Sequence, residues 1–546
     1  MPFPADINAV KNFFSRNTFW DIEEDKTLLL LVIVLIVSSI RRFYNIDTYS
    51  LWSDELWGVV ACSQGSWWAM IENLIHSDSH PPGYQTLLYG WMQLFGTSDF
   101  SIRAPSAIAG ILGIFWTYEL GRRHFSAITG LVAAATLAGS YQAVFYSQEA
   151  RSYAFLMCVA PAFASYYLDL FIQGLPERKT AALRGFWITA TALLYLHYVG
   201  AIIVGCAAGV WLYHWIRRGC HRENITLALQ AFALPALLYS PWLPVMYHHL
   251  VDAPDAWSTP VADMQRIIDT YRFLLGPDNT RFYASVALTA MLFSLQHLGF
   301  IKRRMDLTNA ELRKKIDSWT FLMLLSILPV IVFALQSHLG TSAYTFRHFT
   351  YLIPLFAVML ACLPASIAGM IHSQKWKIRY VIFACLTSSA ANTYYNIKSG
   401  LYDHYWKEDY RQAVDIVEHD QRFMNSGEQK LVVTNSPFFD HYLKQSHLGT
   451  KTTFALTDPA QIPEMEALLK SSQATRFYYL EVSNAKSTPV MEALNARYQS
   501  RCFSRLNKVN VGKFLLVQAP DDQSALAELH DCPLKRSVRP QGIQHN

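Results

Sequence analysis

Long apolar runs separated by short polar loops fill most of the chain up to about residue 400. A helix that crosses a bilayer needs about 20 mostly apolar residues. Eleven runs fit or approach this length: 26–44, 102–121, 126–146, 153–173, 186–198, 199–216, 226–246, 281–301, 318–338, 349–371 and 378–397. The fifth and sixth runs are short, so both can cross only if residues 196–200 form a tight turn. The pattern predicts a polytopic α-helical membrane protein.

A further apolar segment, 83–95, decides the orientation of every later span. Its 13 residues would form a helix of about 20 Å, shorter than the ~30 Å hydrocarbon core. If it lies at the membrane surface, the cytoplasmic loops hold 20 Lys and Arg and the outward loops before residue 398 hold 8. Cytoplasmic loops normally carry this excess. We therefore predict a juxtamembrane helix at 83–95 within an outward loop, 45–101. Arg41 and Arg42 break the rule locally and would snorkel or meet an anionic headgroup.

Beyond the last apolar run, the pattern changes to short alternating segments. Residues 430–435 and 476–482 read as strands, and 502–518 reads as a hairpin. Three segments read as helices: 408–419, 459–471 and 488–498. With eleven crossings this region lies outward, so we predict a transmembrane domain at 1–399 and a periplasmic α/β domain at 400–546. Cys502 and Cys532 could form a disulfide there.

Composition agrees with the membrane assignment and excludes other classes. Hydrophobic residues make up 52% of the chain and charged residues 16%, whereas soluble domains carry about 25% charged residues. The net charge is only +5, and no basic tail or arginine-rich run indicates nucleic-acid binding. The eight cysteines show no zinc-binding spacing, and the C-terminal region has no GxGxxG motif that would indicate nucleotide binding.

The unusual polar residues fall in the predicted outward loops. Charged groups near a bilayer are costly unless they are solvated, paired or functional. The motifs are WSDELW (52–57), HPPGY (80–84), YSQEARSY (146–153) and AYTFRHFTYLIP (343–354). The candidate site residues are Asp54, Glu55, His80, Tyr84, Arg103, Gln148, Glu149, Arg151, Arg347, His348 and Tyr351. Their shared depth is that of a polar headgroup.

Structural explanations stay open for several of these residues. Ser53 or Asp54 could cap a helix, because acids and short polar side chains favour a helix N-terminus. Glu149 and Arg151 could form a structural ion pair, and Arg347 could anchor a helix end at the headgroups.

The first outward loop also offers a second kind of site. His76, Asp78 and His80 alternate with other residues and could hold a metal ion, although loop histidines are usually only solvated. The two prolines after His80 could simply start the next helix, since proline suits the first helical turn.

These motifs together resemble the C-type membrane glycosyltransferases (GT-C). The WxDE loop, HPPxY, Arg103-Ala-Pro-Ser-Ala107 and YSQEAR carry the resemblance over about residues 27–200. The bacterial branch related to protein O-mannosyltransferases and lipid A aminoarabinose transferases is the most similar. FRHFTYLIP (346–354) and KEDYRQAV (407–414) match later family motifs more loosely.

The resemblance implies transfer of a sugar from a polyprenyl-phosphate donor at the periplasmic face of the inner membrane. It maps the catalytic acid onto Asp54, with Glu55 beside it. The family's second acid typically follows an arginine, whereas Glu149 precedes Arg151 here, so its catalytic role stays open. Some branches hold a divalent metal ion with such acids, which leaves open a metal on Asp54 and Glu149.

The chemistry fits these residue types. A carboxylate such as Asp54 or Glu55 can take the proton of the acceptor, and negative charge favours an oxocarbenium-like transition state. Arginines such as Arg103, Arg151 and Arg347 can bind the leaving phosphate bidentately. The other candidates would complete the substrate site: His80, Tyr84, Gln148, His348 and Tyr351. A single base without a second nucleophile predicts inversion at the anomeric carbon.

Two other classes remain as alternatives. A polytopic transporter or lipid flippase would place ionisable groups near the midplane and often show internal repeats, whereas the acids here lie in loops. A non-catalytic scaffold would not need the outward acid–arginine cluster. The expected partners are the lipid-linked donor, membrane lipids, and a lipid, protein or glycan acceptor that the sequence does not identify.

Overall fold

The structure is a computed structural model. It describes residues 24–78, 80–174, 176–217, 222–251, 259–275, 310–339, 342–398, 407–422, 431–448, 454–472, 476–483, 488–498, 500–506 and 508–515. The predicted span 281–301 and Cys532, half of the predicted disulfide, lie outside these residues.

Helices dominate the chain up to residue 398. The first eight are α1 (Glu24–Phe43), α2 (Ser53–Cys62), α3 (Trp67–Ser77), α4 (Gly83–Phe95), α5 (Asp99–His124), α6 (Ala127–Gly139), α7 (Tyr141–Ser147) and α8 (Tyr153–Leu168, continued by a π turn, Asp169–Gln173). The next eight are α9 (Lys179–Leu196), α10 (Tyr198–Arg217), α11 (Arg222–Tyr239), α12 (Leu243–Val251), α13 (Met264–Leu275), α14 (Ala310–Leu339), α15 (Leu352–Gly369) and α16 (Gln374–Lys398).

Several of these helices can cross a membrane. Among the described residues, six helices or helix runs are long and apolar enough, and a seventh span results if α6 and α7, bent by 64°, count as one. A multi-pass helical membrane protein is therefore confirmed, and the count of eleven spans stays a prediction. The helix predicted at 83–95 is present as α4 (Gly83–Phe95), while its place at the membrane surface also stays a prediction.

The described residues divide into two compact units. The first, here the span unit, comprises Met1–Arg42, Ala107–Ser147 and Ser152–Tyr395. The second, here the loop unit, comprises Phe43–Ser106, Gln148–Arg151 and Asn396–Asn546. The predicted boundary at residue 399 stays a prediction, and the loop unit groups residues from three distant parts of the chain.

Small residues let helices of the span unit approach closely. A Cβ on Gly121 of α5 would lie 2.6 Å from the Cα of Gly130 in α6, so this crossing requires glycine at both positions. Small residues commonly line such contacts in membrane proteins. The tight turn predicted at 196–200 is also present. The amide of Gly200 donates to the carbonyl of His197 at 2.8 Å, between α9 and α10.

Arg41 and Arg42 bind other parts of the protein. The Arg42 guanidinium is fully buried and donates to the hydroxyls of Ser38 and, at 3.1 Å, of Ser147. Arg41 contacts the hydroxyl of Ser389 at 3.3 Å. For Arg42, snorkelling is therefore the wrong expectation, because its head is enclosed between α1 and α7.

The C-terminal part of the loop unit is an α/β fold. Its helices are α17 (Tyr410–Arg422), α18 (Phe439–Gln445), α19 (Ile462–Ser471) and α20 (Pro489–Arg497). Its strands are β1 (Val432–Thr434), β2 (Phe454–Ala455), β3 (Arg476–Val482), β4 (Ser500–Leu506) and β5 (Val509–Leu515). The sheet order is β2-β1-β3-β5-β4. Strands β2, β1 and β3 are parallel, while β3, β5 and β4 are antiparallel, so the predicted hairpin is β4–β5.

Apolar side chains of the sheet and its helices form the core of this fold. Val433, Phe477 and Tyr479 of the strands pack with Met465 of α19 and Leu494 of α20. Sequence reading missed the short elements α18 and β2, because seven and two residues are too few to show a period.

Candidate active site

The first candidate acids lie in the first turn of α2 in the loop unit. The helix begins at Ser53 and its N-cap is Trp52, so neither Ser53 nor Asp54 is the cap. The carboxylate of Glu55 instead accepts the Trp52 amide at 3.2 Å, which satisfies one amide of the helix start. The Asp54 side chain is half-buried, in contrast to the fully buried Glu55.

Glu55 is bound bidentately by Arg103 of α5. The Arg103 Nε donates to Oε1 at 2.8 Å and Nη2 donates to Oε2 at 2.6 Å. The three remaining N–H groups of the guanidinium go to the backbone carbonyls of Ile46, Tyr49 and Ser50. Because an arginine has five N–H donors, this side chain has none left for a phosphate in this arrangement. The geometry favours a positioning role for Arg103.

The Glu55 carboxyl stays ionised in this environment. Burial alone raises its pKa, but the charge and hydrogen bonds of Arg103 outweigh burial and lower the pKa to about 2. Such a group is a poor base near neutral pH, because a base works best when its pKa lies near the working pH.

The 148–151 loop is held at each of its four residues by the loop unit. Gln148 donates to the Tyr44 carbonyl at 2.7 Å, and the Ala150 amide donates to Glu55 Oε1 at 2.8 Å. Arg151 Nη1 donates to the Asp54 carbonyl at 3.0 Å. The fourth residue, Glu149, is bound by Lys407, which the sequence reading did not select as a site residue.

Glu149 forms a buried ion pair with Lys407. The Lys407 Nζ lies 2.7 Å from Glu149 Oε1, and both side chains are 3% exposed. The same ammonium lies 5.1 Å from the ring centroid of Trp52, within cation–π range. The signal that could have found Lys407 is its place as the first residue of the motif KEDYRQAV, which follows the last apolar run.

His80 is oriented by Asp78. Its Nδ1 lies 2.8 Å from Asp78 Oδ1, and Gln85 Nε2 donates to Asp78 Oδ2 at 3.2 Å. The other ring nitrogen, Nε2, lies 3.5 Å from Arg151 Nη2. The ring is therefore fixed by a carboxylate on one side and faces an arginine on the other. Tyr84, the second residue of α4, is buried, and burial raises its pKa.

The remaining candidates lie in the span unit. The Arg347 guanidinium carbon lies 5.9 Å from the ring centroid of Tyr153, and the His348 ring lies 4.5 Å from that of His197. Tyr351 is fully buried, and its hydroxyl finds no hydrogen-bond partner among the described residues. Tyr153 closes the motif YSQEARSY and His197 lies within the 196–200 turn, but sequence reading selected neither as a site residue.

A metal ion does not fit the residues that the structure describes. Within them, no group of three or more His, Cys, Asp or Glu could hold one, and Asp78 pairs with His80 and Gln85 instead of forming a trio with His76. The Lys407 ammonium bound to Glu149 is a cation already in contact with that carboxylate.

The comparisons with known proteins agree with the motifs. Residues 79–244 match the sequence model of a family described as dolichyl-phosphate-mannose-protein mannosyltransferase. This segment contains His80, Arg103 and the 148–151 loop, while Asp54 precedes it. A search of curated proteins found no match.

Solved structures show a shared fold. ArnT from Cupriavidus metallidurans in the apo state matches with a TM-score of 0.55 and 13% identity, over 90% of this chain and 98% of that chain. The same protein bound to undecaprenyl phosphate matches with a TM-score of 0.54 and 12% identity over the same shares. Family match and fold together confirm the resemblance to C-type membrane glycosyltransferases, which are enzymes.

Proposed function

We propose that this chain, with the sequence pattern and fold of a C-type membrane glycosyltransferase, transfers a sugar from a polyprenyl-phosphate donor to an acceptor at the periplasmic face. One observation carries the proposal. The acids, arginines and histidine of two predicted outward loops form one hydrogen-bonded cluster in the loop unit. A solved structure with this fold contains undecaprenyl phosphate, which is a donor carrier of the proposed class.

Asp54 is the proposed base. Its side chain is half-buried, whereas the Glu55 and Glu149 side chains are buried and each binds a cation. An acceptor hydroxyl or amine would give its proton to the Asp54 carboxylate while its oxygen or nitrogen bonds to the anomeric carbon. The bond between that carbon and the phosphate oxygen breaks, and its electron pair leaves with the polyprenyl phosphate. One base and one displacement give inversion.

The leaving phosphate needs a cation beside it. Arg103 donates all five of its N–H groups within the loop unit, which favours a positioning role for it. We assign the phosphate to Arg151 and His80, whose Nη2 and Nε2 atoms face each other at 3.5 Å. Arg and imidazolium groups bind phosphate through charge-assisted hydrogen bonds. We also assign Tyr84 and Gln148 to this site. That Arg347, His348 and Tyr351 of the span unit bind substrate stays a prediction from the sequence. The inner membrane is the proposed location.

The test is a transfer assay with purified full-length protein. Lipid-linked sugars are labelled metabolically in host membranes, extracted and mixed with protein and unlabelled membranes. Wild type should move label out of the polyprenyl-phosphate fraction, and Asp54→Asn should do so about 10²- to 10⁴-fold more slowly, as expected for loss of a general base.

The matched control is Glu72→Gln, which removes an exposed acid of α3 in the same unit. It should transfer at the wild-type rate. Equal rates for wild type and Asp54→Asn would exclude Asp54 as the base. Label that moves across vesicle membranes while staying on polyprenyl phosphate would instead support a flippase.

A further inference from the structure

The segment 407–411 contacts both loops that carry candidate catalytic residues. It follows the last predicted span and opens α17. Lys407 binds Glu149 in the 148–151 loop. Tyr410 Oη lies 2.9 Å from the Ser53 hydroxyl, next to Asp54. The Arg411 amide donates to the Ser50 hydroxyl at 3.2 Å. Ser53, the residue next to the candidate base Asp54, is therefore held by Tyr410 from a distant part of the chain.

The Lys407–Glu149 pair is enclosed. Each side chain is only 3% exposed, and the ammonium also lies over the Trp52 ring. Removing one partner of a buried pair leaves the other charge without compensation, which strongly disfavours the native arrangement. Glu149 would then turn toward water or take up a proton, and the loop that carries it would shift.

A shift of Glu149 would be transmitted to Arg151 and to α2 through the hydrogen bonds of residues 149–151. The Glu149 carbonyl accepts the Arg151 amide at 2.8 Å, and Arg151 in turn holds the Asp54 carbonyl and faces His80. The next residue, Ala150, donates to Glu55. Glu149 thus lies at the start of a run in which the next residue binds the Glu55 carboxylate and the one after it binds the Asp54 backbone carbonyl.

We propose that Lys407 is a positioning residue of the active site, which acts through Glu149 to place Arg151 and the α2 start. This inference rests on the proposed function. Lys407 itself need not touch the donor, because its ammonium is directed to Glu149 and Trp52. The catalytic site is then incomplete without the chain that follows the last span.

Four variants of the full-length protein test this role: Lys407→Met, Lys407→Arg, Glu149→Gln and the double variant Lys407→Met/Glu149→Gln. Three quantities are measured for each: retention of radiolabelled undecaprenyl phosphate, kcat for label transfer, and the thermal unfolding midpoint. Lys407→Met should lower kcat by about 100-fold, since a misplacement of about 1 Å can cost that much. Lys407→Arg, which keeps a cation, should restore most of this loss.

The double variant separates a joint role from two independent ones. Because both substitutions remove the same contact, its kcat should be no lower than that of Lys407→Met alone. Losses that multiply would overturn the proposal that Lys407 acts through Glu149. The control Lys444→Met removes an exposed lysine of α18 and should leave kcat unchanged.

The remaining outcomes separate failure of the positioning role from failure of the proposed function. If Lys407→Met lowers the unfolding midpoint but keeps the wild-type kcat per folded molecule, the residue is only structural and the positioning role is wrong. If wild type neither retains undecaprenyl phosphate nor transfers label, the proposed function fails and the positioning role fails with it. A wild type that does both, beside an unimpaired Lys407→Met, overturns only the positioning role.

Discussion

Arg103 and Glu55, which are 48 residues apart in sequence, form a bidentate ion pair with N–O distances of 2.6 and 2.8 Å. The pair joins the start of α5 to the first turn of α2. The arginine also donates hydrogen bonds to three backbone carbonyls within residues 46–50. It fixes the direction of the helix that carries Asp54. The pair contributes mainly the orientation of α2, because a buried ion pair adds little net stability to the fold.

Removing one partner of this pair should be severe. Arg103→Met leaves the Glu55 carboxylate buried without its cation, and we expect the free energy of unfolding to fall by about 3–5 kcal/mol. Chemical or thermal unfolding in detergent measures the change.

The double variant Arg103→Met/Glu55→Leu is the internal control. It replaces both charges with apolar groups, and it should recover part of the lost stability. A double variant less stable than Arg103→Met would contradict the assignment of the penalty to an uncompensated carboxylate.

The same pair predicts a pH dependence. The pKa of Glu55 falls from 4.5 to about 2 on folding, so its stabilisation is fully present above pH 4.5 and is lost as the pH falls toward about 2. Unfolding midpoints measured across this window should fall more steeply for wild type than for Glu55→Gln. Parallel curves would show that Glu55 does not carry this part of the acid sensitivity.

Sequence patterns predicted the parts of the site that depend on local signals. Charged residues in apolar surroundings singled out Asp54, Glu55 and Arg103, and apolar length with proline placement predicted the helix Gly83–Phe95. The specific partners could not be predicted. Arg103 is saturated by backbone carbonyls of residues 46, 49 and 50, and carbonyl positions depend on the folded path of the chain.

Lys407 shows the same limit at longer range. Its partner Glu149 is 258 residues away in sequence, and one lysine after an apolar run normally reads as a headgroup anchor. Only the folded chain shows that it is buried. The Trp52 N-cap was also missed, because Ser53 and Asp54 are better caps by residue type.

Gly200 should be essential for the turn between α9 and α10. A Cβ at this position would lie 1.9 Å from the Leu193 carbonyl oxygen, and rigid backbone cannot yield as a side chain can. Gly200→Ala should lower the free energy of unfolding by about 1–3 kcal/mol or more, the usual cost of overpacking.

Gly205, in the same helix, offers a matched control. A Cβ there meets nothing within 4 Å, so Gly205→Ala should be neutral or slightly stabilising, since alanine is the better helix former. Equal effects of the two substitutions on the unfolding midpoint would contradict the close approach at Gly200.

Tyr442 of α18 should link the C-terminal fold to the first loop. Its hydroxyl donates to the Asp99 carboxylate at 3.0 Å and accepts the Leu51 amide at 2.7 Å. Tyr442→Phe removes both bonds and should cost about 1.5–3 kcal/mol, the range for hydrogen bonds to charged groups. Limited proteolysis should then cut the first loop faster.

The control for this prediction is Tyr247→Phe, which alters an exposed tyrosine of α12. Its unfolding midpoint and its cleavage rate should match those of wild type. Wild-type cleavage in Tyr442→Phe would contradict the proposed link.

The central claim is a single displacement at the anomeric carbon of a polyprenyl-phosphate sugar, with Asp54 as base. The most direct measurement follows a donor labelled with ¹³C at that carbon, by NMR, during turnover by the purified enzyme with membrane acceptor. The account predicts that the bond between the anomeric carbon and the phosphate oxygen is cleaved and that the product carries the opposite anomeric configuration. Product with the donor's configuration, or a donor that stays intact at every enzyme concentration, would contradict it.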